Sequence, residues 1–273
     1  MDDNPLGKET YYPGTFDPDL LVALPRSTNR NQLSLNEQLP FVGEDIWHAY
    51  EISWLNKQGL PKVAIGRFAF SCESPFIIES KSFKLFLNSL NQETFDDKHD
   101  VINLLTENLS HCASAEVKVT LFELEESVDL IKLPEGICLD SVDVQINNYQ
   151  PNSALLTNLE DNADEIVEEC LYSDLFKSNC PVTNQPDWGT ISINYKGPAI
   201  SHAGLLAYLI SYRLHSDYHE NCIEKIFVDI QQNCNPQELT VQGNFLRRGG
   251  LDINPVRSTD KKFFARMCFD LNQ

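Results

Sequence analysis

Four short stretches of this chain carry residue types that do chemistry. The first is Glu79-Ser80-Lys81-Ser82-Phe83-Lys84, where a hydroxyl and two ammonium groups stand at the start of a helical periodicity. Free backbone N–H groups at a helix start would join them in an anion site. Glu79, just outside the helix, does not suit an anion; its carboxylate suits two parallel N–H donors of a guanine-like edge. The same pattern also describes a capped amphipathic helix with solvated lysines. The second stretch runs from Lys177 to Gly189, with Cys180 in a polar, turn-rich loop. Cysteine ordinarily prefers apolar burial. A thiol there is either an inert loop residue or a nucleophile, with Asp187 as its acid/base partner. The third is Ser216-Asp217-Tyr218-His219-Glu220-Asn221-Cys222 at the head of a helix. Asp217 as a cap and Glu220 as a solvated acid is one reading. Because His219 and Cys222 share a helix face, a metal site with Cys180 is another, short of a full ligand set. The fourth, Arg247-Arg248-Gly249-Gly250-Leu251-Asp252-Ile253-Asn254-Pro255, is a basic turn after a strand.

The elements that must position these groups follow from periodicity. IWHAYEISWL and KVAIGRFAF, separated by the turn-like 57–61, predict a hairpin. Phe83, Phe86, Leu87 and Leu90 then recur at helical spacing, with Ser80 as the expected N-cap. Val101, Leu104, Leu105 and Leu109 line a second helix, and EVKVTLFELE alternates like a strand. The second half repeats the order. GTISINY reads as a strand, and a helix from about Ser201 carries Leu205, Leu206, Leu209 and Tyr212. Another helix, from near His219, carries Cys222, Ile223, Ile226, Phe227 and Ile230; ELTVQGNFL and KKFFARMCF then read as strands. A shift of 122 residues aligns the helical regions without a gap, matching Phe86 to Tyr208, Ser89 to Ser211 and Cys112 to Cys234. Duplication of a hairpin, helix-pair, strand unit accounts for this better than two unrelated α+β halves. Residues 1–40 read as an extended arm, and 124–165 as an acidic linker of little pattern.

Composition narrows the function classes. The chain has 273 residues, 42% hydrophobic and 22% charged, as a soluble globular protein has. Its 21 Lys+Arg against 40 Asp+Glu give a formal net charge of −19, which disfavours general binding to nucleic acid or anionic membrane. No apolar run approaches the ~20 residues of a membrane span, and the acidic start lacks a secretory pattern. Eight scattered cysteines without a CxxC pair predict reduced thiols and a cytoplasmic location. Neither GxGxxG after a strand, GxxxxGK[ST], HExxH nor GxSxG is present.

Together the motifs resemble the NADPH-dependent nitrile reductases of queuosine biosynthesis, the 7-cyano-7-deazaguanine reductases. The resemblance rests on Glu79 to Ser89, Cys180-Pro181 with Gln185-Pro186-Asp187-Trp188, His219-Glu220-Asn221-Cys222, and Arg247 to Pro255. Leu24-Pro25-Arg26-Ser27, Asn29-Arg30 and Asp45-Ile46-Trp47 match the longer form of the family. The Glu-Ser-Lys helix precedes the cysteine here, as in the two-module subtype. The resemblance implies an α+β fold of tandem tunnelling-fold (T-fold) modules, here 1–150 and 151–273, each an antiparallel sheet with a helix pair. It implies a homodimer, a deazapurine substrate, and two NADPH consumed per turnover, with no metal, direct nucleic-acid partner or membrane.

The roles it implies are these. Cys180 adds to the nitrile to give a thioimidate, Asp187 protonates the nitrogen, and His219 orients the substrate or stabilises the adduct. Ile78, Glu79, Ser80, His219 and Glu220 contact the substrate; Ser80, Lys81, Arg248 and Gly249 contact the cofactor. A metal-using purine or pterin cyclohydrolase of the same fold and a non-catalytic purine-binding module are the alternatives. If His219 faces the site, Cys222 lies one helical turn on; it is then either a protective partner that forms a disulfide with Cys180 under oxidative stress or a small buried core residue.

Overall fold

Long two-residue alternation in this chain builds one eight-stranded sheet, described by a computed structural model over residues 14–35, 38–123, 136–159 and 166–260. The first half contributes a hairpin of β2 (Val42–Leu55) and β3 (Pro61–Ser71). Asn56 closes its turn by accepting from the N–H groups of Gln58 and Leu60, and Gly59 supplies the positive φ of 78° that the turn needs. Helix α2 (Ser80–Asn88), helix α3 (Lys98–Ala113) and strand β5 (Val117–Phe122) follow. The second half gives β7 (Ile166–Asn179), β8 (Pro186–Pro198), α4 (His202–Ile210), α5 (His219–Cys234), β9 (Glu238–Phe245) and β10 (Leu251–Ser258). Strand order is β5-β3-β2-β10-β9-β8-β7-β6, where β6 is the short Ile137–Cys138. Thus β10 joins the two halves, antiparallel to both β2 and β9.

The halves match in detail. Helices α2 and α4 begin at Ser80 and His202, 122 residues apart, and each is nine residues long. Both end at a serine whose hydroxyl donates back three residues at 2.6 Å, Ser89 to Phe86 and Ser211 to Tyr208. Helices α3 and α5 both end on a left-handed residue, Ser114 and Asn235. Each half has its own apolar core. In the first, Phe83 of α2 meets Trp47 and Phe68 edge-on, at ring separations of 5.4 and 5.0 Å, geometry that adds to the burial of all three rings. In the second, Phe176, Tyr212 and Phe245 pack likewise.

Several expectations are corrected. Glu79, not Ser80, is the N-cap of α2: its carboxylate accepts from Lys81 N–H at 2.9 Å and Ser82 N–H at 2.7 Å. Two long strands went unread as such, β7 and β10. The stretch 247–255 reads as a turn after a strand, yet β10 pairs with β2 along its whole length, Pro255 opposite Asp45, and with β9 only at Val256–Ser258. The segment KKFFARMCF lies outside the described residues. The arm is docked rather than loose: β1 (Ala23–Pro25) pairs with β4 (Phe76–Ile78), and the one-turn helix α1 (Ser27–Arg30) follows. The stretch read as a linker contains β6, and Leu139 and Leu156 are buried in the second core.

A chain of buried charges ties the arm, the first hairpin and the second half together. Arg26 binds Asp45 at 2.5 Å, Arg257 binds Asp45 at 2.7 Å and Glu224 at 2.9 Å, and Arg30 binds Glu224 at 2.6 Å. Burial alone would raise the Asp45 carboxyl, but the two guanidinium groups outweigh it and hold it below its ordinary pKa.

Candidate active site

Both halves line one cavity of about 620 Å³. Strands β2 and β4 and the start of α2 form one wall; the β7–β8 turn, the start of α5 and the β9–β10 turn form the other. All ten residues singled out from sequence line it: Ile78, Glu79, Ser80, Lys81, Cys180, Asp187, His219, Glu220, Arg248 and Gly249.

Cys180 follows the last residue of β7, in a tight turn that closes on itself. Its N–H donates to the Gln185 carbonyl, and the Asn184 N–H donates to the Cys180 carbonyl, both at 2.9 Å. Partial burial would push the thiol pKa up. Hydrogen bonds from the Thr183 hydroxyl and from the backbone N–H groups of Thr183 and Val182 outweigh burial and the nearby Asp187 charge, so the pKa lies below the ordinary thiol value. The turn is therefore a small anion nest that favours the thiolate form.

Asp187, at the start of β8, is buried and has Arg248 and His219 beside it. Arg248 reaches it in a close ion pair, and His219 Nε2 lies 3.4 Å from its other oxygen. Burial works to raise this carboxyl, but His219 and Arg248 together hold it below its ordinary pKa. The His219 ring stacks flat on Phe245 at 3.9 Å, which fixes its plane, and its buried Nδ1 has no hydrogen-bond partner among the described residues. Arg248 sits on a two-residue turn in which Gly249 and Gly250 have φ of 60° and 80°. Arg248 and Leu251 exchange both backbone hydrogen bonds across it, the arrangement that favours glycine at both central positions. Arg247, on the same turn, stacks over Tyr50 at 4.1 Å.

Glu220 is buried, not solvated, and burial with the Asp45 charge pushes its pKa up to about 7 against the opposing pull of His219 and Arg26. Asp217 is not the N-cap of α5; Tyr218 holds that place, and Asp217 instead accepts from Tyr218 N–H and from the Asn221 amide, both at 2.8 Å. Because Glu79 takes the N–H groups of Lys81 and Ser82, the backbone part of the expected anion site is occupied. The cationic side chains remain: Lys81, Lys84, Arg247 and Arg248 all line the cavity. In a chain of net charge −19 these four cations share the cavity with four carboxylates, Glu79, Asp187, Asp217 and Glu220. Lys84 and Arg247 were not among the residues assigned to a cofactor, nor was Gln185, whose amide oxygen accepts from Arg248 at 2.5 Å. The alternative metal site required Cys180, His219 and Cys222 to converge. Among the described residues no three His, Cys, Asp or Glu side chains are so placed. Cys222 is fully buried, and burial raises its thiol well above the ordinary value.

Comparison with known proteins bears on which chemistry this cavity serves. Residues 12–121 match the family model described as nitrile reductase, 7-cyano-7-deazaguanine-reductase N-term, and residues 186–263 match that of the QueF-like protein. The NADPH-dependent 7-cyano-7-deazaguanine reductase of Colwellia psychrerythraea is 50% identical, over 96% of this chain and 94% of its own. This chain belongs to that reductase family. The reductase of Chromohalobacter salexigens is 49% identical over 93% of this chain and 91% of its own, and that of Dechloromonas aromatica 50% over 94% and 90%. The crystal structure of the archaeosine synthase QueF-Like in the apo form aligns with a TM-score of 0.30 and 18% identity over 34% of this chain and 91% of that one. At that distance the fold is argued from this chain alone. Among the described residues no helix is long and apolar enough to cross a membrane.

Proposed function

We propose that this protein reduces the nitrile of 7-cyano-7-deazaguanine to a primary amine, consuming two NADPH, as a cytoplasmic homodimeric enzyme of queuosine biosynthesis. The observation that carries the reading is the cavity itself, where a stabilised thiol, a buried carboxylate and a ring-stacked histidine face a cationic rim. Matched element spacing and helix ends support a tandem tunnelling fold of two modules, about 1–150 and 151–273. The packing of Leu139 into the second core favours a boundary ahead of it.

A nitrile carbon accepts hydride poorly until a nucleophile has added to it. Cys180 is the group suited to add, because its turn stabilises the thiolate. As the S–C bond forms, the nitrogen must gain a proton, and the proton lost by the thiol balances it. Asp187, held as a carboxylate, is placed to take that proton and pass it on, acting as base and then acid. His219, aligned by Phe245 and facing Asp187, holds the charge balance during the transfer. When bound, the reduced nicotinamide of each of two NADPH would supply one hydride, four electrons in all, and two protons from solvent complete the amine. Cys180 leaves as thiolate between the two hydrides, a departure that its low pKa favours. Lys81, Lys84, Arg247 and Arg248 suit the phosphates of NADPH, and Gly249, which carries no side chain, lets the backbone approach. Glu79 and Glu220, with Ile78 and Ser80 beside them, face the deazaguanine ring; each carboxylate accepts N–H donors of its edge.

Loss of the reduced-nicotinamide absorbance on mixing protein, NADPH and the 7-cyano-7-deazaguanine base tests the proposal. A purified, folded protein that leaves the absorbance unchanged contradicts it.

A further inference from the structure

Arg248 does two things in this structure that compete with holding a cofactor. One guanidinium nitrogen pairs with Asp187, and another donates to the Gln185 side chain at 2.5 Å. Gln185 belongs to the turn of the nucleophile, since its own carbonyl accepts the Cys180 N–H. Arg248 is thus tied to both ends of the catalytic turn, while its backbone is fixed by the Gly249-Gly250 turn and its partly exposed side chain has rotamer freedom to swing.

We propose that Gln185 is a positioning residue that, with Asp187, parks Arg248 across the reaction centre when no cofactor is bound, and that a phosphate of NADPH draws the guanidinium away and frees Asp187 for the proton transfers that accompany hydride delivery, the thiol addition itself needing no cofactor. The inference rests on the reductase reading. It gives the enzyme an order: the carboxylate gains its full basicity only when the reductant is in place. It also makes the coupling reciprocal: if cofactor binding raises the proton affinity of Asp187, protonation of Asp187 tightens cofactor binding by the same factor.

The groups facing Asp187 set what the release does. Arg248 comes from the β9–β10 turn, His219 and Cys222 from α5, Cys180 from the β7–β8 turn and Lys177 from β7. Removing Arg248 leaves His219 as the one close partner and burial unopposed by the guanidinium. The Asp187 pKa then rises, and cofactor binding draws a proton from solvent at mildly acidic pH.

The test is NADPH affinity, measured by direct titration, in wild type, Gln185→Leu and Gln185→Glu. Gln185→Leu loosens the parked state and is expected to tighten NADPH binding about threefold; Gln185→Glu strengthens it and is expected to weaken binding about tenfold. A residue that merely shapes the site, or that itself holds the cofactor, would weaken binding on Gln185→Leu, and that result overturns the proposal. Titrating wild type across the acid range in buffers of different ionisation heat reads proton uptake directly, and absence of uptake at every pH also overturns it. Repeating the titration with NADH identifies the phosphate: uptake with NADPH alone assigns the 2′-phosphate, and uptake with both assigns the pyrophosphate. The latch fails alone if wild type oxidises NADPH with the nitrile substrate while the Gln185 variants bind as wild type does. If wild type does not turn over, the reductase reading fails first.

Discussion

Replacing Thr183 by valine probes how the turn activates Cys180. Valine keeps the shape and removes the hydroxyl that hydrogen-bonds the thiolate, while the N–H groups of residues 182 and 183 stay in place. A hydrogen bond to a charged group contributes about 1.5–3 kcal/mol, and the exposure of this loop puts it at the lower end. At roughly 1.4 kcal/mol per pKa unit, the thiol should rise by about one unit. Neutral-pH alkylation of Cys180 should then slow by about tenfold, since a thiol that is mostly protonated reacts in proportion to its ionised fraction. Iodoacetamide alkylation followed by peptide mass mapping across pH 5–10 reads this at Cys180, apart from the other thiols. Thr183→Ser should restore the wild-type midpoint. An unchanged midpoint in Thr183→Val would refute the claim that the turn stabilises the thiolate.

Other perturbations report on the surroundings. The Glu220 pKa is raised from 4.5 to about 7, so the folded state binds the extra proton and stability falls as pH climbs through that window. Glu220→Gln should therefore be more stable than wild type above pH 7, by roughly 3 kcal/mol, with no gain near pH 4.5, as urea unfolding at both pH values checks; the same variant should raise the substrate KM. Arg257→Met leaves Asp45 and Glu224 short of a buried partner and should cost about 3–5 kcal/mol, read as a Tm loss of roughly 10 °C. Lys81→Ala should raise the NADPH KM severalfold with the substrate KM unchanged in steady-state assays. Peroxide followed by non-reducing peptide mapping should leave Cys222 reduced in the folded protein, because it is fully buried in the second core and its thiol is pushed well above the ordinary pKa; a Cys180–Cys222 link would contradict that placement.

What the sequence makes legible follows from how each residue meets its surroundings. Helix α2 was plain because Phe83, Phe86 and Leu87 all turn to one core, and the 122-residue repeat holds down to the serines that end α2 and α4. Strand β7 is not plain, because its buried positions mix apolar Leu171 and Phe176 with Ser173 and Ser178, and Glu168, Glu169 and Asp174 interrupt the apolar alternation. Strand β10 buries Asp252, Asn254 and Arg257, so its polarity reads as surface. The ion network pairs residues as far apart as Arg257 and Asp45, 212 positions, which no local pattern can show. The site residues themselves were legible only through family motifs. Their relations were not: periodicity cannot show that Glu79 caps its own helix, or that Arg248 is held by Gln185.

Intact mass spectrometry of the protein mixed with 7-cyano-7-deazaguanine alone, without NADPH, tests covalent catalysis most directly. Addition of a thiol to a nitrile expels nothing, so the account predicts a mass increase equal to the whole substrate, mapped to Cys180 and absent from Cys180→Ala, which should still bind the base but not reduce it. A wild-type protein that turns over yet forms no adduct, or a Cys180→Ala protein that still reduces the nitrile, would contradict it.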